Sequence, residues 1–172
     1  MNKKMIHVYL EDNEYEKTTI NHTRLIARAF VLDENDKFVM LKIKRDDEFG
    51  NSTYIETSGG GIEENEDIIE GLKRELDEEL GVKVEIISKI GIIDDYYNKI
   101  NRHNINHYYL VKIIGYTKIH HESKGDDLIF DILHLSINDI LNEYKNKDAK
   151  IKKLVYNREE IIFNEIIKKW RV

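Results

Sequence analysis

The chain carries Gly59-Gly60-Gly61-Ile62-Glu63-Glu64-Asn65-Glu66 and, after seven more residues, Arg74-Glu75-Leu76-Asp77-Glu78-Glu79-Leu80-Gly81-Val82. Three consecutive glycines free the backbone from side-chain restrictions, which predicts a tight loop at 59–61. Acidic residues at positions 66 and 67 suit the positive end of a helix dipole, and Gly81 supplies the left-handed residue that ends a helix. The stretch therefore predicts a glycine loop followed by a helix from about residue 66 to Gly81.

The predicted helix has an apolar face with an acidic stripe beside it. At about 100° per residue, one arc that must face a core contains Ile69, Leu72, Leu76 and Leu80. Glu75, Glu78 and Glu79 stand at i, i+3 and i+4, so their carboxylates fall on one stripe next to that arc. Such like charges repel, and Mg²⁺ or Mn²⁺ offsets the repulsion because these cations prefer carboxylate oxygens and also bind substrate phosphates.

A solvated acidic helix face is the competing interpretation, because most charge runs on helices are only that. Gly71 argues against it, since a glycine inside a helix costs about 1 kcal/mol relative to alanine. It lies one turn before Glu75, where the missing side chain leaves room for a ligand or a loop. Arg74 stands four residues from both Glu70 and Glu78 and can therefore orient a carboxylate.

The complete spacing resembles the signature of the Nudix (MutT-like) hydrolases. Its seven specified positions are all met between residues 60 and 82, and a chance match is on the order of 1 in 10 million. The resemblance implies an α/β (α+β) fold in which a mixed β-sheet is sandwiched between α-helices. Ser58 stands where members of this family often carry proline, and that difference removes no ligand.

The resemblance also implies a role for each residue of the motif. The positions that correspond to ligands of a divalent cation, Mg²⁺ or Mn²⁺, are Gly60 (through its carbonyl), Glu75, Glu78 and Glu79. Glu75 corresponds alternatively to a base, Glu66 to a supporting residue and Arg74 to a structural one. The implied reaction is attack of a metal-activated water on a diphosphate that links a nucleoside to a variable group X.

Residues outside the motif complete the set of candidates. Many members of the resembled family place an acidic residue late in the chain, so the candidates for a general base or an extra ligand are Glu122, Asp126, Asp127 and Asp131. Arg45 is a candidate for phosphate contact, and Tyr96 and Tyr97 are candidates for stacking on a base. His120-His121-Glu122 does not predict a separate metal site, because adjacent residues of a strand point in opposite directions.

Composition narrows the class of protein. The 172 residues are predicted to form one domain, 1–172. A net charge of −6 argues against nucleic-acid binding through a basic surface. The absence of cysteine excludes disulfides, thiol nucleophiles and Cys-ligated zinc. No apolar stretch is long enough to span a membrane, so we expect a cytoplasmic protein without a membrane partner, and a homodimer stays open.

Strand-like and helix-like runs alternate along the chain. The predicted strands are 5–10, 24–32, 37–43, 54–57, 82–93, 107–115 and 128–135. Ser136 and Asp139 form a predicted capping box for a helix through Tyr144, and a C-terminal helix extends to Trp170. The segments 45–53, 94–106 and 117–127 are predicted to be loops that set substrate preference.

The sequence therefore predicts divalent-metal-dependent hydrolysis of a small nucleoside diphosphate derivative. The candidate substrates are nucleoside triphosphates, nucleotide sugars and ADP-ribose-like compounds. Two other classes stay open, because a fold does not fix a function: a metal-dependent isomerase and a catalytically idle nucleotide-binding module. The idle module would normally have lost a carboxylate of the motif, and none is lost here.

Overall fold

The structure is a computed structural model that describes residues 4–122 and 124–170. The strands in these residues are β1 (Ile6–Leu10), β2 (His22–Leu32), β3 (Phe38–Asp47), β4 (Gly50–Glu56), β5 (Ser58–Gly61), β6 (Val82–Tyr97), β7 (Arg102–Tyr116) and β8 (Ile129–Leu135). The α-helices are α1 (Ile68–Leu80), α2 (Ile137–Tyr144) and α3 (Lys150–Trp170). Short 3₁₀ turns lie at Asn98–Ile100 and Lys124–Leu128.

These strands form one mixed sheet. Its order is β1-β6-β7-β2-β3-β4, with β5 paired to β2 and β8 paired to β3. The pairs β1–β6 and β2–β7 are parallel and the others are antiparallel. Along one edge, β2 pairs with β5 from Ile26 to Ala29 and with β3 only at Val31 and Leu32. This change of neighbour inserts the glycine segment into the sheet.

Helices cover both faces of the sheet, as the resemblance implies. Phe30 of β2 stacks on Phe163 of α3 with ring centroids 5.2 Å apart. Its neighbours Ala29 and Val31 are fully buried and point to the other face, because side chains alternate along a strand. Helix α1 packs against β2, β5 and β6. None of the helices in the described residues is long and apolar enough to cross a membrane.

Two segments that the sequence predicts to be loops are largely strand. Strand β3 continues to Asp47 and β4 begins at Gly50, so 45–53 is a hairpin in which Arg45 pairs with Ser52. Likewise β6 continues to Tyr97 and β7 begins at Arg102. These strand ends are polar because their side chains line a cleft or solvent, and the apolar alternation that identifies a strand is therefore missing.

The glycine segment is strand β5 rather than a tight loop. Its glycines are required by close packing: a Cβ on Gly59, which has φ +147°, would collide with the carbonyl oxygen of Ala27. A Cβ on Gly60 would lie 2.5 Å from the carboxyl carbon of Glu75. The glycines therefore let the strand approach β2 and the acidic face of α1 closely.

Helix α1 matches its prediction. The side chain of its N-cap, Asp67, accepts hydrogen bonds from the amides of Ile69 and Glu70, and Gly81 ends the helix with φ 64°. Leu72 and Leu76 are fully buried, which confirms the apolar arc. The predicted capping box of Ser136 and Asp139 at the start of α2 is also present.

Candidate active site

A cleft of about 210 Å³ opens beside α1. Its acidic lining comes from Glu75 and Glu79 of α1, from Glu56 of β4 and from Asp126 of the Lys124–Leu128 turn, and the backbone of Gly60 lies beside them. Its basic lining comes from Arg24, Arg28, Arg45 and Arg102. The cleft therefore brings carboxylates and guanidinium groups into one space, an arrangement suited to a ligand that binds both cations and anions.

Glu79 is the most firmly held carboxylate of the motif. It is 5 % exposed, and its Oε1 accepts hydrogen bonds of 2.8 Å from Ser58 Oγ and from the Gly59 amide. Burial raises the pKa of Glu79 to about 8 in spite of these hydrogen bonds, and the charges of Glu75 and Asp126 raise it further. A nearby cation would reverse this effect and hold the group ionised.

Arg74 organises the other acidic groups. Its Nη1 donates to Glu75 Oε1 at 2.9 Å and to Glu78 Oε1 at 3.2 Å. Its Nε and Nη2 donate to Glu66 at 2.9 and 3.1 Å, and Nη2 also donates to the carbonyl oxygen of Gly61. Burial raises the pKa of Glu75, while Arg74 opposes the rise. Arg74 thus orients carboxylates, although its partners are these residues and not Glu70.

Gly71 makes room for this arrangement. A Cβ at this position would meet Oε1 of Glu66. The sequence predicted that the space left by the missing side chain would hold a ligand or a loop. It holds the side chain of Glu66, which belongs to the loop before α1. The glycine therefore allows Glu66 to reach Arg74.

The donor chemistry of the site fits a divalent cation. Glu75, Glu78 and Glu79 are at least nine-tenths buried, and carboxylate oxygens are the ligands that hard cations prefer. Within residues 4–122 and 124–170, no three acidic, His or Cys side chains converge as they would around a metal ion. The reason is that Glu75 and Glu78 turn to Arg74 while Glu79 turns to Ser58 and Gly59. For these three carboxylates to bind one cation, Glu75 and Glu78 would have to turn away from Arg74.

Only one of the four late acidic candidates lies in the cleft. Asp126 is 3 % exposed, and its Oδ2 accepts a hydrogen bond of 3.1 Å from the amide of Glu122. The side chains of Glu122, Asp127 and Asp131 are exposed and do not line the cleft. The sequence could not show which of the four acidic residues faces the cleft. The turn at Lys124–Leu128 decides it, because this turn directs Asp126 inward.

Of the three candidates for substrate contact, two line the cleft and one does not. Arg45 lines the cleft, lies over the Phe49 ring at 4.7 Å and has a carboxylate oxygen of Asp47 at 3.4 Å. Tyr97 lines the cleft, and its hydroxyl accepts a hydrogen bond of 2.8 Å from Arg158. Tyr96 does not line it and instead stacks on His103, with ring centroids 4.7 Å apart. Adjacent residues of β6 point to opposite faces, so only one tyrosine reaches the cleft.

Comparison with known proteins identifies the family. A family model described as the NUDIX domain matches residues 22–155. The chain belongs to the NUDIX family. Members of this family hydrolyse nucleoside diphosphate derivatives and generally use divalent metal ions.

Solved structures share this Nudix fold at low sequence identity. A NUDIX hydrolase from Nitrosomonas europaea is 15% identical, with a TM-score of 0.60 over 80% of this chain and 88% of that one. A MutT protein from Methanosarcina mazei Go1 is 16% identical, with a TM-score of 0.58 over 83% and 99%. A MutT NUDIX hydrolase from Burkholderia pseudomallei is 19% identical, with a TM-score of 0.55 over 67% and 84%. No curated protein matches the sequence.

Some residues of the cleft lie outside the Nudix motif and outside the sequence prediction. Arg24 of β2 pairs in register with Asn104 of β7, and Arg102 lies two residues before Asn104. All three line the cleft. The available signal was a shared strand face, since residues 24 and 28 on one strand and 102, 104 and 106 on the other are polar and even-numbered offsets place them on one side of each strand.

A buried polar network lies behind the cleft of this Nudix protein. Arg158 of α3 is fully buried and forms ion pairs with Glu56 at 2.7 Å and Asp95 at 3.1 Å. Glu56 also pairs with Arg28 at 3.2 Å. The network fixes one wall of the cleft because breaking one partner would leave a buried charge uncompensated.

Proposed function

We propose that this Nudix protein hydrolyses the diphosphate bond of a nucleoside diphosphate linked to a group X, with Mg²⁺ or Mn²⁺ as the cofactor. The observation that carries the proposal is the burial of three motif carboxylates, Glu75, Glu78 and Glu79, of which Glu75 and Glu79 line a cleft that also holds arginines. A site for a metal–diphosphate complex needs both features, since carboxylates bind the cations and guanidinium groups bind the phosphate oxygens.

The residues proposed to hold the cations are Gly60, through its carbonyl, and Glu75, Glu78 and Glu79. When bound, the cations would neutralise phosphate oxygens and lower the pKa of an attacking water. Glu66 and Arg74 are proposed to position these carboxylates through the hydrogen bonds that join them.

Other residues of the chain are proposed to act on the substrate and on the attacking water. Asp126 is our candidate base, because it is the late acidic residue that lines the cleft with Glu75 and Glu79. A carboxylate that accepts the proton of water as it attacks assists hydrolysis. Arg45 is proposed to donate to phosphate oxygens, and the ring of Tyr97, whose hydroxyl is held by Arg158, is proposed to bound the site of the nucleotide.

A substrate panel tests the proposal. Nucleoside triphosphates, nucleotide sugars and ADP-ribose are each incubated with Mg²⁺, Mn²⁺ or a chelator, and the released phosphate esters are identified. We expect a nucleoside monophosphate and phosphorylated X to appear only with a cation. p-Nitrophenyl phosphate should stay intact, because a monoester lacks the diphosphate on which the cations act. Monoester hydrolysis as fast as that of the best diphosphate would refute the proposal.

The same panel distinguishes the two alternatives. A metal-dependent isomerase would convert a substrate without releasing any phosphate ester. An idle binding module would bind nucleotides, as measured by calorimetry, without turnover in either metal. Glu79→Gln supplies the matched inactive control, because it keeps the size of the side chain and removes only its charge.

A further inference from the structure

Two arginines in the cleft lie close together on neighbouring strands. In the parallel register of β2 and β7, His22 pairs with Arg102 and Arg24 pairs with Asn104. Arg24 and Arg102 are therefore offset by two residues on adjacent strands, which places their Cα atoms about 8 Å apart. Both side chains line the cleft, and arginine is long enough for two guanidinium groups at this spacing to reach one anion.

Neither arginine forms an ion pair with another described residue. Among the described residues, no carboxylate oxygen lies within 4.0 Å of a nitrogen of either guanidinium. The other cleft arginines differ, since Arg28 pairs with Glu56 at 3.2 Å and Arg45 with Asp47 at 3.4 Å. Burial lowers the pKa of Arg24, the charges of Arg102 and Arg28 lower it further, and the charge of Glu75 opposes the shift. Two unpaired cations at this spacing repel each other, and an anion between them would remove the repulsion.

Hydrogen-bonding capacity at this position is also unused. The Nε of Arg102 is buried and has no hydrogen-bond partner in the described part of the chain. Oδ1 of Asn104, a residue that is 1 % exposed and lines the cleft, also has no partner among the described residues, but as an acceptor it would bind a water or a hydroxyl rather than a phosphate oxygen. Buried polar atoms without a partner are rare because they cost free energy, and they occur where a ligand or water completes the bonding.

The position of these arginines relative to the motif defines what they can bind. The Arg24 guanidinium lies against Gly61, since a Cβ there would be 2.5 Å from Nη2. The Glu75 carboxylate lies against the neighbouring Gly60 in the same way. Adjacent residues of a strand point to opposite faces, so the two charged groups flank β5 from its two sides, and both line the cleft. Because Arg24 and Glu75 line the same cleft, an anion held by Arg24 would share it with a phosphate held near Glu75.

We infer that Arg24 and Arg102 form a subsite for a phosphate group that directly adjoins the scissile diphosphate, so that the preferred substrates carry at least three contiguous phosphates. The inference rests on the proposed function and narrows its substrate class. A guanidinium donates two parallel hydrogen bonds to phosphate oxygens, which matches the free Nε of Arg102. An uncharged sugar as X would leave both cations unpaired inside the cleft.

A comparison of two substrates with the same base tests the subsite. The wild-type protein should hydrolyse a nucleoside triphosphate with a kcat/KM at least tenfold above that of the corresponding nucleotide sugar. Arg102→Gln and Arg24→Gln should each lower this ratio at least tenfold, and Arg102→Lys should restore part of it. Lys112→Gln is the matched control, because it removes the same charge from an exposed position on the same strand and should leave the ratio unchanged.

Binding in the absence of metal gives a readout that does not depend on turnover. Calorimetry should show tighter binding of inorganic tripolyphosphate than of pyrophosphate to the wild-type protein. Arg102→Gln should abolish the difference without shifting the thermal unfolding midpoint by more than a few degrees.

Several outcomes would overturn the inference. Equal losses for both substrates in the arginine variants would assign these residues to the scissile diphosphate itself. A wild-type preference for the nucleotide sugar would refute the subsite directly. If no diphosphate compound is hydrolysed, the proposed function fails, and the tripolyphosphate measurement still decides whether the subsite exists.

Discussion

Glu159 accepts two hydrogen bonds from Thr57, each 2.7 Å long, one from the backbone amide and one from the hydroxyl. Thr57 joins β4 to β5 and is followed at once by Ser58 and Gly59, which donate to Glu79. Helix α3 therefore positions residues 57–59 through Glu159, and residues 58 and 59 in turn position Glu79 of the Nudix motif. This relationship connects the stability of the fold to the geometry of the site.

Replacement of Glu159 tests that connection. Glu159→Ala leaves the Thr57 amide and the Tyr108 hydroxyl, both hydrogen-bonded to Glu159, without their buried acceptor, and should lower the free energy of unfolding by about 3 kcal/mol. The adjacent Glu160 pairs with Lys147 near the surface, so Glu160→Ala should cost less than about 1 kcal/mol. Urea denaturation of the two variants measures the difference. Equal losses would show that the Thr57 contact contributes little.

Replacement of Glu78 and Glu79 tests the chemical role of the motif carboxylates. Glu78→Gln and Glu79→Gln should lower kcat/KM by a factor on the order of a thousand, because each removes a charge from the proposed cation site. Both variants should fold, since loss of a carboxylate relieves like-charge repulsion on α1. Glu85→Gln, on an exposed position of β6, is the control and should keep full activity. Near-normal activity in both the Glu78 and the Glu79 variant would exclude this helix as the metal site.

Variants of the residues that support the site should differ in activity and stability from variants of the residues that act chemically. Glu66→Gln should reduce activity less than Glu79→Gln, because Glu66 contacts Arg74 rather than lining the cleft. Arg74→Ala should lower both activity and stability, the latter by about 1 to 3 kcal/mol, since it leaves the buried Glu75 and Glu78 without a partner. Steady-state kinetics and thermal unfolding of the three variants check this order. A Glu66 variant as inactive as the Glu79 variant would contradict it.

The stability of the metal-free protein should depend on pH through Glu79. Its pKa rises from 4.5 to about 8 on folding, so between these values the folded state binds more protons than the unfolded state. Stability should therefore fall as pH rises through this range, by at most about 1.4 kcal/mol per pH unit. His107, whose pKa falls from 6.5 to about 4 through burial and the charge of Lys89, acts in the opposite direction below pH 6.5.

Denaturation at pH 6.5 and at pH 8, with a chelator present, isolates the contribution of Glu79. The wild-type protein should be less stable at pH 8, and Glu79→Gln should lose this dependence. A divalent cation should restore stability most strongly at pH 8, because it replaces the proton on the carboxylate. An identical pH dependence in wild type and variant would show that Glu79 is already ionised in the fold.

Local signals in the sequence determined the central helix. Its start near Asp67, its end at Gly81 and the stripe of Glu75, Glu78 and Glu79 depend on residues within a few turns of one another, so local spacing predicts them. The glycine segment was predicted to be a tight loop and is strand β5, because the atoms that exclude a Cβ from it belong to other elements, Ala27 of β2 and Glu75 of α1.

Tertiary structure decided the rest of the cleft. Arg24 and Asn104 meet only through the parallel register of β2 and β7, and Asp126 enters only through its 3₁₀ turn. Local sequence does not fix such pairings, because a strand register is set by the whole sheet and by the faces that become buried. The sequence by itself therefore determined which carboxylates the chain presents, while the folded sheet decided which arginines oppose them.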